Sequence, residues 1–294
     1  MAVCAGLILG VAALRSRHAS TAGDLLPYLP RTEGVTLAID MEALRRSGVL
    51  VALAGARVAE EPEYQAFVTE TGFNYQQDLD LVVAKFGKDT SFFLLRGRFD
   101  WPRLGAYVRS QGGACRNSYC RVGGSTPERQ ISFFPLQTNI MAMAVGPSAD
   151  AAWQLAYPAP NARPGTAPAR PVWLTVSAGV LQNVQNLHPG ARLLAAALEG
   201  AGEVEFSLEI APGRLEALMD VVCRTPGEAA ILSSRLEQVT RLLKGTSSAG
   251  GAAADPRDLM GVLLAGSFRT EGQHVLGRWP IERAFLESIL GSSQ

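Results

Sequence analysis

A proline-rich segment at residues 158–171 constrains the fold of this chain more than any other feature of its sequence. Proline at this density blocks both helix and sheet and favours extended backbone. The segment therefore predicts a linker between a first unit, residues 23–157, and a second unit, residues 172–294. A chain of 294 residues is also long enough for two domains of ordinary size.

The two units show the same order of predicted elements. In the first unit, strand-like residues 34–39 and the capping Asp40 precede a helix, and two strands, a second helix and further strands follow. The second unit begins with a strand at residues 172–177 and continues through helices, a hairpin and a helix that starts at Thr225. The order strand, helix, strand, strand, helix, strand is that of a ferredoxin-like unit. The sequence therefore predicts an α+β fold of two tandem ferredoxin-like units with mainly antiparallel sheets.

Residues 1–22 have the character of a signal peptide or a membrane anchor. Residues 2–14 form an uncharged apolar run that is too short to span a bilayer and matches the central part of a signal peptide. Arg15 and Arg17 follow this run and no basic residue precedes it, a pattern that indicates a start of translation further upstream. The alternative is a buried N-terminal helix. We expect export, with a location in the periplasm, outside the cell, or on the membrane facing away from the cytoplasm.

The cysteines support the same compartment. Cys115 and Cys120 flank what the pattern predicts as the end of a hairpin, where cross-strand positions lie within reach of a disulfide. A zinc site would need two further ligands, and a redox pair is usually separated by two residues. The spacing therefore predicts a Cys115–Cys120 disulfide, which is typical of an oxidising compartment.

One stretch of the first unit resembles a known group of proteins. Residues 71–74, with the sequence Thr-Gly-Phe-Asn, precede Asp78-Leu79-Asp80 and the run Leu-Arg-Gly-Arg-Phe-Asp at residues 95–100. This pattern is similar to one found in uncharacterised exported proteins of environmental bacteria. The group has no assigned activity, so the resemblance implies a compartment and an architecture only.

The charge balance argues against nucleic acid as a partner. Lys and Arg number 27, Asp and Glu also number 27, and the formal net charge is zero. Proteins that bind nucleic acid carry a basic excess or stripe. We therefore expect no nucleic-acid partner. Contact with a membrane is expected only through an uncleaved N-terminal segment. The sequence does not identify a partner, and a protein of the cell envelope is one candidate.

Histidine, the commonest general base and metal ligand, is scarce. The chain has three, of which His18 lies in the predicted leader, His188 in a predicted turn and His274 in a predicted strand. Neither His188 nor His274 belongs to a recognised metal spacing, so no metal site is predicted. They stay as candidate cofactor ligands, because tandem ferredoxin-like units carry haem in some enzyme families.

The remaining candidate contacts are charged. Arg96 and Arg98 alternate on a predicted strand, where they could hold an anion or a partner, or protect the edge of a sheet with charge. Thr175–Gly179 occupies a strand-to-helix turn but has no glycine at its first position, so it is not a nucleophile elbow. No catalytic residue is predicted.

These observations favour a non-enzymatic binding or scaffold module outside the cytoplasm that needs no cofactor. Two alternatives remain open. One is a carrier of a small ligand or lipid, with a pocket between sheet and helices, and the other is a haem-type enzyme.

Overall fold

The computed structural model describes residues 20–50, 62–124, 126, 129–160, 169–182, 189–211, 214–249, 255, 258–282, 285 and 288. Within these residues the strands and helices follow the apolar pattern of the sequence closely. The strands are β1 Val35–Asp40, β2 Leu79–Phe86, β3 Ser91–Gly97, β4 Ala114–Arg116, β5 Tyr119–Gly123, β6 Gln130–Gln137, β7 Ile140–Gly146, β8 Val172–Ser177, β9 Glu203–Ala211, β10 Arg214–Val222, β11 Ser267–Glu271 and β12 His274–Ile281.

Helices and short helical turns connect these strands. The α-helices are α1 Ala22–Leu25, α2 Met41–Arg46, α3 Pro62–Thr71, α4 Tyr75–Asp78, α5 Trp101–Ser110, α6 Ala178–Gln182, α7 Pro189–Ala197, α8 Pro226–Ala249 and α9 Leu259–Leu264. Two 3-10 turns, Leu26–Tyr28 and Ala151–Leu155, lie between these helices and the strands.

The prediction of two tandem ferredoxin-like units is wrong, because the strands form one continuous sheet. Its twelve strands lie in the order β11-β12-β10-β9-β8-β1-β2-β3-β7-β6-β5-β4. All the observed pairings are antiparallel, whereas a ferredoxin-like unit contains parallel strands joined by a crossover helix.

The first strands of the two halves join them. β1 pairs with β8, and Thr36 lies opposite Thr175 while Ile39 lies opposite Val172. This pairing leaves neither half with a sheet of its own. The linker prediction at residues 158–171 stays a prediction, since residues 161–168 lie outside the described residues.

Helices cover one face of the sheet along both halves. In the first half, Leu104 and Val108 of α5 pack on Phe133 and Met141. In the second half, helices α7, α8 and α9 pack on apolar side chains of β9, β10 and β12 such as Val204. The core of the second half therefore lies mainly between these helices and the sheet.

The other face of the sheet is covered in the first half by the N-terminal segment. Leu25 and Leu29 pack there with Leu155, Val83 and Phe134. Consecutive residues of a strand point to opposite faces, so the adjacent Phe133 and Phe134 contact the two different layers. Both faces of this strand are therefore covered.

The start of the described chain is fixed by local hydrogen bonds. Thr21 caps α1 by accepting from Asp24 N, and the Asp24 carboxylate accepts in return from Thr21 N at 2.8 Å. The bond from Thr21 N, and a second bond that Thr21 Oγ1 donates to the same carboxylate at 2.8 Å, lower the pKa of Asp24. Residues 1–19, which include most of the predicted leader, lie outside the described residues.

Candidate functional site

The most distinctive concave site is an apolar pocket between the sheet and the helices of the second half. It has a volume of about 320 Å³. Fifteen side chains of the described residues line it, and all of them are apolar: Leu181, Ala191, Leu194, Ala195, Leu198, Phe206, Ala217, Met219, Leu236, Leu259, Val262, Leu263, Trp279, Ile281 and Phe285. We call this site the apolar pocket.

Helix starts and small residues position the walls of the apolar pocket. Thr225 Oγ1 accepts from Glu228 N at 3.1 Å and so fixes the beginning of α8, which carries Leu236. Gly190 lets α7 and α9 approach closely, because a Cβ at this position would lie 2.9 Å from Met260 Cε. The pocket is therefore a space that remains between helices held at fixed positions.

Trp279 forms part of the wall and is held between two glycines. A Cβ on Gly266 would lie 2.3 Å from Trp279 Nε1, and a Cβ on Gly277 would lie 2.8 Å from its Cη2. The indole Nε1 is buried and has no hydrogen-bond partner among the described residues. A donor in this state costs free energy, so the position of Trp279 is set by packing and not by a polar contact.

The side chains that line the apolar pocket are exposed at one end and buried at the other. Leu259, at the beginning of α9, is 39% exposed, whereas Met219 is 3% and Leu236 is 1% exposed. The exposed end is where a ligand can enter, and the buried end forms the floor. Since the described lining side chains are apolar, the pocket can bind hydrocarbon, and none of these fifteen side chains can act as a general acid or base.

The opposite face of β9 to β12 has a different character. It forms an open polar groove of about 560 Å³ whose lining includes Arg170, Glu205, Asp220 and Arg278. His274, one of the two predicted cofactor ligands, is near this groove, and its Nδ1 lies 2.8 Å from Asp220 Oδ1. One ring nitrogen is therefore already engaged with a carboxylate.

On this face of the sheet, the pKa values of Glu205 on β9 and Lys85 on β2 are shifted. Burial, and then the nearby Asp220 and Glu203, raise the pKa of Glu205, and Arg170 opposes the shift. Burial lowers the pKa of Lys85, whose Nζ donates to Thr36 Oγ1 at 3.2 Å.

Arg96 and Arg98, which the sequence predicts as possible contacts for an anion or a partner, both form hydrogen bonds within this chain. Arg96 is on β3, between β2 and β7, and donates to Ser20 O, so it does not protect a sheet edge. Arg98 donates from Nη2 to Asp78 Oδ1 at 2.8 Å. An anion or partner contact at these residues stays a prediction, and any such ligand would compete with these partners.

The predicted disulfide is confirmed. Cys115 of β4 and Cys120 of β5 are directly opposite each other, and their sulfur atoms are bonded. His188 lies outside the described residues. Across the part of the chain that the structure describes, no group of three or more His, Cys, Asp or Glu is arranged to hold a metal ion. No helix in the same residues has the length and apolar character needed to cross a membrane.

Sequence reasoning did not find the apolar pocket. Its described lining residues come from eight separate stretches between Leu181 and Phe285, and no sequence motif links them. One feature of the sequence could have pointed to it, namely Gly266 and Gly277. Glycines at these positions indicate that a large side chain lies close to the backbone of β12 and to the end of α9.

The fold and the apolar pocket define an α+β protein with one antiparallel sheet, a helical layer and a hydrocarbon-lined cavity. No family model matches the chain, and no curated protein matches it. Among solved structures, crystal form I of TP0453 is similar, with a TM-score of 0.51 and 15% identity over 94% of this chain and 98% of that one. Crystal form III of TP0453 gives a TM-score of 0.49 and 12% identity over 94% of this chain and 100% of that one. The likeness to crystal form I shows a shared fold.

Proposed function

We propose that this chain is a non-enzymatic binding module of an extracytoplasmic compartment that holds an apolar ligand. The observation that carries the proposal is the apolar pocket, which is large enough for a small ligand and whose lining is apolar at every residue that the structure describes there. Pockets of this composition bind through burial of ligand hydrocarbon and need no reacting group.

The extracytoplasmic part of the proposal rests on two features. The Cys115–Cys120 disulfide is of a kind that persists in oxidising compartments and is rare in the cytosol. The apolar run at residues 2–14 has the length of the central part of a signal peptide. As part of the same proposal, this chain is one of the exported proteins that its first unit resembles.

The haem alternative has lost its support. It depended on tandem ferredoxin-like units, and the strands form one antiparallel sheet instead. His274 also shares its Nδ1 with Asp220 and lies by the polar groove, away from the apolar pocket. A binding module is therefore the function that the geometry favours.

The test is native mass spectrometry on the chain produced in an exporting bacterial host. We expect a species that carries an apolar compound in one-to-one ratio, which organic extraction removes without unfolding the protein. The extracted protein should then bind 1-anilinonaphthalene-8-sulfonate with a blue-shifted emission. Protein that carries no such compound and also fails to bind this dye or other apolar probes would refute the proposal.

A further inference from the structure

We propose that the apolar pocket takes the tail of a single-chain amphiphile, an unbranched acyl or alkyl chain of about ten carbons, and leaves the polar head group outside. The inference rests on the proposed function and gives its ligand a chemical class. It follows from the volume, lining and burial gradient of the pocket.

The volume sets the length of the chain. A methylene group is about the size of a water molecule, whose share of liquid volume is about 30 Å³. The pocket volume of about 320 Å³ therefore holds about ten such groups. A lipid with two long chains has roughly three times as many, so the pocket accommodates one chain and not two.

The lining decides where the polar group lies. The side chains that the structure describes around the cavity are apolar, and burying a polar group among them without a hydrogen bond would cost free energy. Exposure rises from 1% at Leu236 on the floor to 39% at Leu259 at the beginning of α9. The ligand must therefore enter tail first past Leu259, with its head group in water.

Ala195 and Ala217 offer a way to shorten the cavity. Ala195 lies on the α7 wall and Ala217 on the opposite wall formed by β10. Leucine at either position adds three carbons to the wall and fills about 90 Å³ of the cavity. Ala196, the next residue of α7, is exposed, so Ala196→Leu makes the same chemical change outside the pocket.

The experiment measures the dissociation constants of a series of saturated fatty acids with six to sixteen carbons, by calorimetry on the extracted full chain. Each is kept below its micellar concentration. We expect affinity to rise by about fourfold per methylene and then to level off near ten carbons, where the cavity is full. Ala195→Leu should move this limit to about seven carbons, whereas Ala196→Leu should leave it unchanged.

The outcomes separate the two proposals. Binding of apolar dyes without a chain-length limit, or a limit that moves equally in Ala195→Leu and Ala196→Leu, overturns the single-chain inference and leaves the proposed function standing. Absence of binding by every fatty acid and every apolar dye overturns both. If Ala195→Leu fails to fold, Ala217→Leu provides the same shift from the opposite wall.

Discussion

Trp279 is packed between Gly266 and Gly277, and Gly277→Ala tests this packing directly. A methyl group at residue 277 would lie 2.8 Å from Trp279 Cη2, 2.9 Å from its Cζ3 and 3.2 Å from Met219 Cβ. These contacts are shorter than van der Waals distances, and the indole has Gly266 on its other side. The clash must therefore push Trp279 towards the apolar pocket or bend β12.

The expected change in the free energy of unfolding combines two opposing effects. Overpacking a core costs about 1–3 kcal/mol. Replacing glycine by alanine also restricts the unfolded chain, which returns about 0.4–1 kcal/mol. We expect Gly277→Ala to lower the free energy of unfolding by about 1–2 kcal/mol, and each kcal/mol should lower Tm by about 2–4 °C.

Urea denaturation followed by tryptophan fluorescence measures this change. Gly202→Ala is the matched control, because no atom lies within 4 Å of the added methyl group, and its stability should be unchanged or slightly higher. Trp279→Phe removes the outer edge of the indole, so Gly277→Ala should cost at least about 1 kcal/mol less in that background. An equal cost with and without the indole would refute the packing argument.

Three further predictions concern other parts of the molecule. Replacing Cys115 and Cys120 by serine should lower the free energy of unfolding by about 2 kcal/mol through loss of loop closure, and dithiothreitol should then have no further effect on urea denaturation. Thr225→Ala should cost about 1 kcal/mol in the same assay, because Glu228 N loses its acceptor, and Thr225→Ser should restore most of it. The pKa of Glu205 is raised above 4.5, so its protonated form contributes stability that is present below pH 4.5 and lost as the pH rises through the folded-state pKa. Glu205→Gln should therefore gain stability relative to the parent as the pH rises from 4 to about 7 in thermal melts, and a constant difference would contradict the assignment.

Local features of the fold could be predicted from the sequence because they depend on neighbouring residues. Asp40 caps α2 by accepting from Ala43 N at 2.7 Å, and Thr225 caps α8, as the sequence indicates. The disulfide also follows from local spacing, since Cys115 and Cys120 belong to adjacent strands of one hairpin.

The order of the strands could not be predicted, because pairing between distant strands leaves little trace in either one. β1 has apolar residues on both sides of the sheet and can accept many partners, and its actual neighbour β8 begins more than 130 residues later. Similar element orders in the two halves were therefore compatible with two separate sheets or with one.

The candidate site was missed for a related reason. Ala195, Met219 and Trp279 are ordinary core residues in the sequence, and only the spacing between α7, α8 and the sheet leaves a cavity among them. Arg96 is the opposite case. The sequence predicts it as a possible contact for an anion or a partner, whereas in the structure it donates a hydrogen bond to Ser20 O in the N-terminal segment.

Photo-crosslinking can show whether an apolar chain occupies the cavity between the helices and the sheet. Decanoic acid with a diazirine near its terminal methyl group is bound to the extracted protein, irradiated and located by peptide mass spectrometry. We expect crosslinks on buried lining residues such as Met219 and Leu236, and excess unlabelled decanoic acid should suppress them. Crosslinks confined to other surfaces, or labelling that excess decanoic acid does not reduce, would contradict it.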